Sequence, residues 1–240
     1  MIVIPAVDVR EGACVQLVGG SYAHEQVRLP DPIEAARRWA REGFRNLHVV
    51  DLDAATDRGS NAAVIMAVIV EATRLGLEVQ AGGGVRDDAT VARLFEAGAA
   101  RVVVGTRAAE DPDWLVRLAQ RHPESIVAAA DTRERRVVAR GWQNTLAHDV
   151  VETVRRIGAL PLAGILVTAV HKEGRLQGTD LPLMREVAAA TRTPVIASGG
   201  ITTIKDLRSL AGCGIAGAVI GMALYTGALD PRATVKEFVT

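Results

Sequence analysis

A chain of 240 residues that is 49% apolar can bury a sizeable core, and with only 3% aromatic residues that core depends on valine, alanine, leucine and isoleucine. Basic and acidic residues both number 28, which excludes a global basic field that would attract nucleic acid. No apolar run reaches the roughly 18 residues of a membrane span, and no signal-peptide pattern opens the chain. We therefore expect a cytoplasmic protein that binds neither membranes nor nucleic acid.

Short runs of valine, isoleucine, leucine and alanine alternate with longer segments of helical period. The predicted strands are 2–8, 46–52, 77–81, 101–104, 125–131, 164–169, 194–198 and 217–221. Nearly all are apolar on both faces, which is typical of parallel strands covered by helices. Eight such units in 240 residues predict a fold of the α/β class, a single (β/α)8 TIM barrel.

Helix-start and helix-stop signals occupy the segments between these strands. Asp31-Pro32-Ile33-Glu34 predicts an N-cap, a proline in the first turn and a capping glutamate, and Gly43 predicts the end of that helix. Asp111-Pro112 predicts a second helix start, while Gly76 and Gly98 predict helix ends. The signals agree with the alternation of strands and helices.

The chain nearly repeats itself. Gly82-Gly83-Gly84-Val85-Arg86 is matched by Ser198-Gly199-Gly200-Ile201-Thr202, so that Gly199 follows Gly82 by 117 residues. This repeat predicts two half-barrels, roughly residues 1–122 and 123–240, within one barrel domain. A doubly wound sheet is the alternative fold, but its first strand would lead into a glycine-rich dinucleotide turn. The first strand here leads into Asp8-Val9-Arg10-Glu11-Gly12 instead.

In a (β/α)8 barrel the chemistry lies where the strands end. Glycines at matching strand ends predict two phosphate sites, because a residue without Cβ lets backbone N–H groups approach an anion closely. Asp8 and Asp131 end corresponding strands of opposite halves and would face each other across the mouth as general base and general acid. The predicted substrate is a long small molecule with a phosphate at each end.

Other residues near the strand ends have two interpretations. Asp51 and Asp53 either touch the substrate or form a structural ion-pair cluster near Arg58. Trp142 lies in a polar loop and either stacks on a heteroaromatic ring or anchors the loop on the barrel. The histidines and the two cysteines show no metal-ligand or redox spacing. Nothing in the sequence requires a metal, nucleotide or flavin cofactor.

Several motifs occur in one order along the chain. They are Ile4-Pro5-Ala6-Val7-Asp8, Asp51-Leu52-Asp53-Ala54, Gly82-Gly83-Gly84-Val85-Arg86, Asp131-Thr132-Arg133 with Arg140-Gly141-Trp142, and Ala197-Ser198-Gly199-Gly200. Together they resemble the phosphoribosylformimino-5-aminoimidazole carboxamide ribotide (ProFAR) isomerases of histidine biosynthesis, over essentially the whole chain. The resemblance implies a (β/α)8 barrel that converts an aminoaldose to an aminoketose, an Amadori rearrangement, on a substrate with two phosphates.

The resemblance also implies roles for individual residues. Asp8 would be the general base that takes the proton from C2 of the opened ribose, Asp131 the general acid for ring opening, and Thr168 an aid beside it. Trp142 would lie against the imidazole of the substrate. The implied substrate- and phosphate-binding set is Gly82, Gly83, Gly84, Arg86, Gly105, Thr106, Trp142, Gly178, Ser198, Gly199, Gly200, Gly221 and Met222. The resemblance implies no metal and no cofactor.

Two positions depart from the family pattern. Gln16 stands where an arginine is usual, which removes a charge that helps to hold the substrate or its loop. Glu173 stands where the sixth loop usually carries an aspartate. Some family members use that aspartate as the acid, so either Asp131 or Glu173 is a candidate proton donor.

Three alternative functions stay open. A dual-specificity isomerase would also act on phosphoribosylanthranilate of tryptophan biosynthesis; Asp57-Arg58-Gly59-Ser60-Asn61 favours it and Gln16 opposes it. The related cyclase subunit would need a glutaminase partner and fits Arg140-Gly141-Trp142 less well. A phosphate-ligand binding protein without catalysis is the third. We expect a monomer, because no heptad repeat or apolar surface stripe demands a partner.

Overall fold

The computed structural model describes residues 1–239. The strands in chain order are β1 Ile2–Arg10, β2 Ala13–Val18, β3 Ser21–Leu29, β4 Asn46–Asp51, β5 Glu78–Gly82, β6 Arg101–Val104, β7 Ile126–Ala129, β8 Thr132–Arg133, β9 Arg136–Ala139, β10 Asn144–Asp149, β11 Gly164–Thr168, β12 Val195–Ser198 and β13 Gly217–Ile220. Strands β1, β4, β5, β6, β7, β11, β12 and β13 pair in parallel in that order, and β13 pairs with β1. These strands form a closed eight-stranded barrel, so the predicted fold class is confirmed.

Helices connect the barrel strands and cover their outer faces. They are α1 Pro32–Glu42, α2 Leu52–Ala55, α3 Ala62–Arg74, α4 Asp88–Glu96, α5 Thr106–Glu110, α6 Pro112–Arg121, α7 Val150–Ile157, α8 Leu181–Ala189, α9 Ile204–Gly212, α10 Met222–Thr226 and α11 Pro231–Phe238. A 3-10 helix, Val170–Lys172, follows β11. Across residues 1–239, no helix combines the length and the apolarity that a membrane crossing requires.

The helix boundaries follow the capping signals of the sequence. The Asp31 carboxylate accepts hydrogen bonds from the backbone N–H groups of Ile33 and Glu34, and Gly43 ends α1 in the left-handed conformation with φ of 97°. Asp111 caps α6 in the same way. The predicted return bond from Glu34 to the cap is not formed in the described part of the chain, because Glu34 pairs with Arg41 on the outer face.

The barrel interior is filled with aliphatic side chains rather than open. Ile4, Val103, Val127, Leu166 and Ile196 belong to one small apolar cluster inside the strands. A much larger cluster packs between the strands and the helices. Because the interior is solid, only the mouth at the carboxyl ends of the strands can hold a substrate.

Two sheet extensions lie beside that mouth and were not predicted. Strands β2 and β3 form an antiparallel hairpin on β1, with Val18 opposite Ser21 across a Gly19-Gly20 turn. Both turn glycines have positive φ, 59° and 69°, which a two-residue hairpin turn of type I′ requires. Strands β8, β9 and β10 form a separate three-stranded sheet after β7. Both extensions place additional loops over the end of the barrel where strands deliver side chains.

Candidate active site

One pocket occupies the mouth of the barrel and gathers most of the predicted site. The predicted residues that line it are Asp8, Gly82, Gly83, Gly84, Arg86, Gly105, Thr106, Asp131, Trp142, Thr168, Ser198 and Gly221. Gly199, Gly200 and Met222 line a smaller adjoining pocket that also contains Gly221. Gly178 lies next to it, with its carbonyl against Gly200. The loops thus bring the whole predicted set to one end of the barrel, while the roles of these residues stay predictions.

Asp8 lies near the end of β1, in the part of the strand that also pairs with β2. Because β2 runs antiparallel beside β1, the Gln16 side chain reaches Asp8, and its Nε2 donates a hydrogen bond to Asp8 Oδ2 at 3.3 Å. Burial raises the pKa of the Asp8 carboxyl to about 7, and the hydrogen bond from Gln16 opposes that rise. A carboxylate that titrates near neutrality suits a general base.

Asp131 follows β7 on another side of the pocket. The Trp142 indole donates a hydrogen bond from Nε1 to Asp131 Oδ2 at 2.8 Å. The other oxygen, Oδ1, is buried and accepts no hydrogen bond from the described residues. Burial raises the pKa of Asp131, and the neighbouring Thr168 hydroxyl and Trp142 indole oppose the rise. A buried carboxyl oxygen without a hydrogen-bond partner is uncommon and marks Asp131 as a candidate functional group.

Glu173 supplies a third carboxyl group from the loop that follows the 3-10 helix. Burial raises its pKa to about 8, and the charges of Asp8 and Asp131 add to the effect. Both causes favour the protonated form of Glu173. When carboxyl groups in one pocket interact electrostatically, one can be ionised and act as a base while another stays protonated and acts as an acid.

The glycine-rich loops of the two halves make equivalent contacts. A Cβ on Gly83 would lie 2.5 Å from the backbone nitrogen of Asp51, and a Cβ on Gly199 would lie 2.6 Å from the backbone oxygen of Ala169. In each half the glycine thus allows its loop to pack on the loop of the preceding barrel strand. This contact explains the glycines independently of any ligand. What supports ligand binding is their place along the pocket wall.

Two short helices begin at the pocket. Gly105 precedes α5 and Gly221 precedes α10, and neither helix has a side-chain cap. The two glycines have nearly the same backbone geometry, with φ and ψ of −121° and −92° at Gly105 and of −102° and −100° at Gly221. Uncapped N–H groups at the start of a helix attract anions. Each half of the barrel therefore presents an uncapped helix start beside its glycine-rich loop, and anion binding there stays a prediction.

Trp142 reaches the pocket from an unusual loop. Arg140, Gly141 and Trp142 are three successive residues with positive φ, at 54°, 60° and 67°. The backbone N–H of Arg140 donates to Thr106 Oγ1 at 2.8 Å, and the indole lies against Gly20 of the hairpin turn. The side chain thus anchors its loop and also forms part of the pocket wall. Stacking on a ligand ring stays a prediction.

Asp51 and Asp53 form a hydrogen-bonded cluster outside the pocket. Asn61 donates from Nδ2 to both carboxylates, at 2.8 Å to Asp51 and 2.9 Å to Asp53, and the backbone N–H of Glu11 donates to Asp53. The interpretation as an ion-pair cluster with Arg58 is wrong in its partner, because the Arg58 guanidinium stacks on the Tyr22 ring instead. The cluster ties the loops after β1 and β4 to α3.

Two residues that line the pocket, Tyr22 and His48, were not predicted from the sequence. Tyr22 of the hairpin lines the pocket and donates its hydroxyl hydrogen to the Leu52 carbonyl at 2.8 Å. His48 of β4 lies at the pocket floor, paired with Gln80 at 2.8 Å, and burial lowers its pKa to about 4. The Gly19-Gly20 pair was a usable hairpin signal. His171, by contrast, contacts Asp180 and lies outside the pocket lining.

The barrel is closed, and acidic groups converge at the carboxyl ends of its strands. This combination is typical of a (β/α)8-barrel enzyme. Comparison with known proteins gives the particular family. The family model described as "Histidine biosynthesis protein" matches residues 2–230, and the chain belongs to that family.

Curated relatives of the chain carry one enzyme name, 1-(5-phosphoribosyl)-5-((5-phosphoribosylamino)methylideneamino)imidazole-4-carboxamide isomerase. The protein of that name from Gemmatimonas aurantiaca is 56% identical over 238 residues, which cover 99% of both chains. The one from Myxococcus xanthus is 57% identical over 238 residues with the same coverage. The one from Gloeothece citriformis is 41% identical, covering 96% of this chain and 90% of its own.

Proposed function

We propose that this protein is the isomerase of histidine biosynthesis that converts the bis-phosphorylated ProFAR intermediate from aminoaldose to aminoketose. The observation that carries the proposal is the convergence of Asp8, Asp131 and Glu173 in one pocket between two glycine-rich loops. Relatives with the isomerase name, 56% and 57% identical over almost the whole chain, support the same reaction. The chemistry is acid–base catalysis within one substrate molecule.

The rearrangement has two proton-transfer steps that this pocket suits. An acid protonates the ring oxygen, the C1–O bond breaks, and the opened ribose becomes an imine. A base then removes the C2 proton, and the resulting enamine tautomerises to the ketone, so no electrons leave the substrate. Asp8 is the proposed base because its pKa near 7 makes it an effective proton acceptor at neutral pH.

The acid has two candidates in the pocket. Asp131, with Thr168 beside it, is the proposed donor for ring opening, and its buried Oδ1 is free to meet the substrate. Glu173 is the alternative donor, because a pKa of about 8 leaves it protonated at neutral pH. Trp142, hydrogen-bonded to Asp131, is the proposed contact for the imidazole ring.

The two phosphates are assigned to the two halves of the mouth. In one half, Gly82, Gly83, Gly84 and Arg86 lie with the start of α5 at Gly105 and Thr106. In the other, Ser198, Gly199 and Gly200 lie with Gly178 and the start of α10 at Gly221 and Met222. Backbone N–H groups and helix starts at both ends support binding of a substrate with a phosphate at each end.

The dual-specificity alternative has no support from the relatives, whose names mention only the histidine intermediate. The cyclase and the inactive binding protein have no support from the relatives' names either.

We propose that the enzyme acts as a cytoplasmic monomer on its small-molecule substrate alone. Size-exclusion chromatography with light scattering checks the monomer, and a dimer peak would refute it.

Steady-state turnover of purified protein tests the proposal. We expect conversion of ProFAR, a loss of at least about 100-fold in kcat for Asp8→Asn because the base is removed, and little turnover of phosphoribosylanthranilate. Asp113→Asn is the matched control, since it makes the same change at an exposed position of α6. An inactive wild-type protein, or an Asp8→Asn variant as active as the control, would refute the assignment.

A further inference from the structure

Gln16 is a buried polar side chain that the reaction scheme above leaves without a role. It lies in β2 and is 2% exposed. Burying an amide is unfavourable unless its polar atoms find partners. Its Nε2 donates to Asp8 Oδ2 at 3.3 Å, so the partner it finds is the proposed base.

The other end of the Gln16 amide packs against Gly221. A Cβ on Gly221 would lie 3.0 Å from Gln16 Cδ and would overlap Gln16 Oε1. The amide therefore fits between Asp8 and the residue that opens α10, and the absence of a side chain at Gly221 leaves room for it. A side chain confined at both ends holds its hydrogen bond in one direction.

The groups that face Asp8 from neighbouring elements are uncharged or acidic. Burial raises the pKa of Cys14 of β2 to about 12 and raises the pKa of Tyr225 of α10 well above its ordinary value, so both are neutral at pH 7. Glu173 is close enough for the charges of both Asp8 and Asp131 to act on it, and all three line the same pocket. His48 at the pocket floor is also neutral, since burial lowers its pKa to about 4.

The Gln16 amide is thus the side chain among the described residues whose hydrogen bond favours the ionised form of Asp8. We propose that Gln16 is a positioning residue that orients the Asp8 carboxylate and sets the pH at which it works, through one uncharged hydrogen bond. The role deepens the proposed function and rests on Asp8 acting as the base.

Two substitutions with opposite expected effects on the pKa of Asp8 test the role. Gln16→Met keeps the length of the side chain and removes the donor, so the acidic limb of the kcat/KM profile moves to higher pH and kcat at pH 7 falls about tenfold, with KM changed less. Gln16→Arg places a cation against Asp8, so the acidic limb moves to lower pH. A merely structural Gln16 would not move the limb in opposite directions.

The titration of Asp8 is also measured without turnover, by NMR of carboxyl-labelled aspartate in the substrate-free protein. Asp8→Asn assigns the Asp8 signal, and thermal melting checks that each variant is folded. We expect the midpoint to rise in Gln16→Met and to fall in Gln16→Arg. Unchanged midpoints in folded variants would overturn the role of Gln16. A protein that shows these shifts but no turnover would refute the proposed function and leave the coupling of Gln16 to Asp8 intact.

Discussion

Burial and mutual repulsion decide how the carboxyl groups of the pocket titrate. Desolvation is the largest cause of the raised pKa at Asp8, Asp131 and Glu173, and the charges of the other two add to it at Glu173. Groups coupled in this way lose their protons in successive steps that belong to the set. The hydrogen bond from Gln16 favours ionised Asp8, whereas the neighbouring carboxylates disfavour ionised Glu173, so a base and an acid can coexist near neutral pH.

A bell-shaped pH profile of kcat/KM is expected from this order of ionisation. The rate rises as Asp8 loses its proton near pH 7 and falls as Glu173 loses its proton near pH 8. Glu173→Gln should keep the rising limb and lose the falling one, while Glu152→Gln, exposed on α7, serves as control. A falling limb that persists in Glu173→Gln but disappears in Asp131→Asn would assign the limb to Asp131.

At the scale of elements, three loops meet over the mouth of the barrel. The backbone N–H of Gly19 in the hairpin turn donates to the Glu173 carbonyl at 3.0 Å, and Gly20 packs against Trp142. Trp142 in turn donates to Asp131. The hairpin turn, the Trp142 loop and the Glu173 loop therefore position Asp131 and Glu173, although none of these loops belongs to a barrel strand.

Gly20→Ala tests whether the hairpin holds the indole. A Cβ at Gly20 would lie 2.5 Å from the Trp142 ring, so the indole must leave its place and its bond to Asp131. We expect kcat/KM to fall at least about tenfold, since the hydrogen bond that orients the proposed acid is lost. Gly19→Ala is the matched control, because its φ of 59° brings the same backbone strain with nothing within 4 Å. Equal losses in both variants would mean that strain, not displacement of the indole, is responsible.

At the scale of the whole molecule, the barrel gives the same framework to both ends of the substrate. The glycine contacts and the starts of α5 and α10 recur in the two halves, which supports the proposed half-barrels near residues 1–122 and 123–240. The extensions break the repeat, since the hairpin follows β1 and the three-stranded sheet follows β7. Under the proposed function, the repeated glycine-rich loops bind the two phosphates, and the loops that differ between the halves carry the acid–base groups.

The free energy of unfolding should depend on pH, because two partly buried carboxyl groups of the pocket have raised pKa values. Asp8 and Glu173 have ordinary pKa values of 3.8 and 4.5, and in the folded protein these rise to about 7 and about 8. Between those limits the native state binds more protons than the unfolded state, so stability falls as pH rises from about 4 to about 8. Chemical denaturation should show Glu173→Gln reducing this fall by on the order of 2 kcal/mol, allowing for solvent in the pocket. An identical fall in the variant would contradict the buried carboxyl group.

The barrel was predictable because its strands are apolar on both faces. Each predicted strand, such as 101–104 observed as Arg101–Val104, lies within a few residues of its observed limits. The hairpin was missed because β3 is half polar and borders solvent, so its pairing shows no apolar run. The Gln16–Asp8 bond could not be predicted, since it depends on the register of β2 against β1. The Asn61 cluster likewise depends on where α3 begins.

Because of the position of Trp142, intrinsic tryptophan fluorescence should respond to a ligand in the pocket. Of the three tryptophans, Trp39 and Trp114 are enclosed in the outer core, whereas Trp142 borders the pocket with its indole N–H on a carboxylate. Trp39 and Trp114 do not line the pocket, whereas Trp142 lies where the heteroaromatic ring of the proposed substrate would bind. Occupancy of the mouth is therefore reported by the change in intrinsic fluorescence from a single indole, against a constant background from the other two.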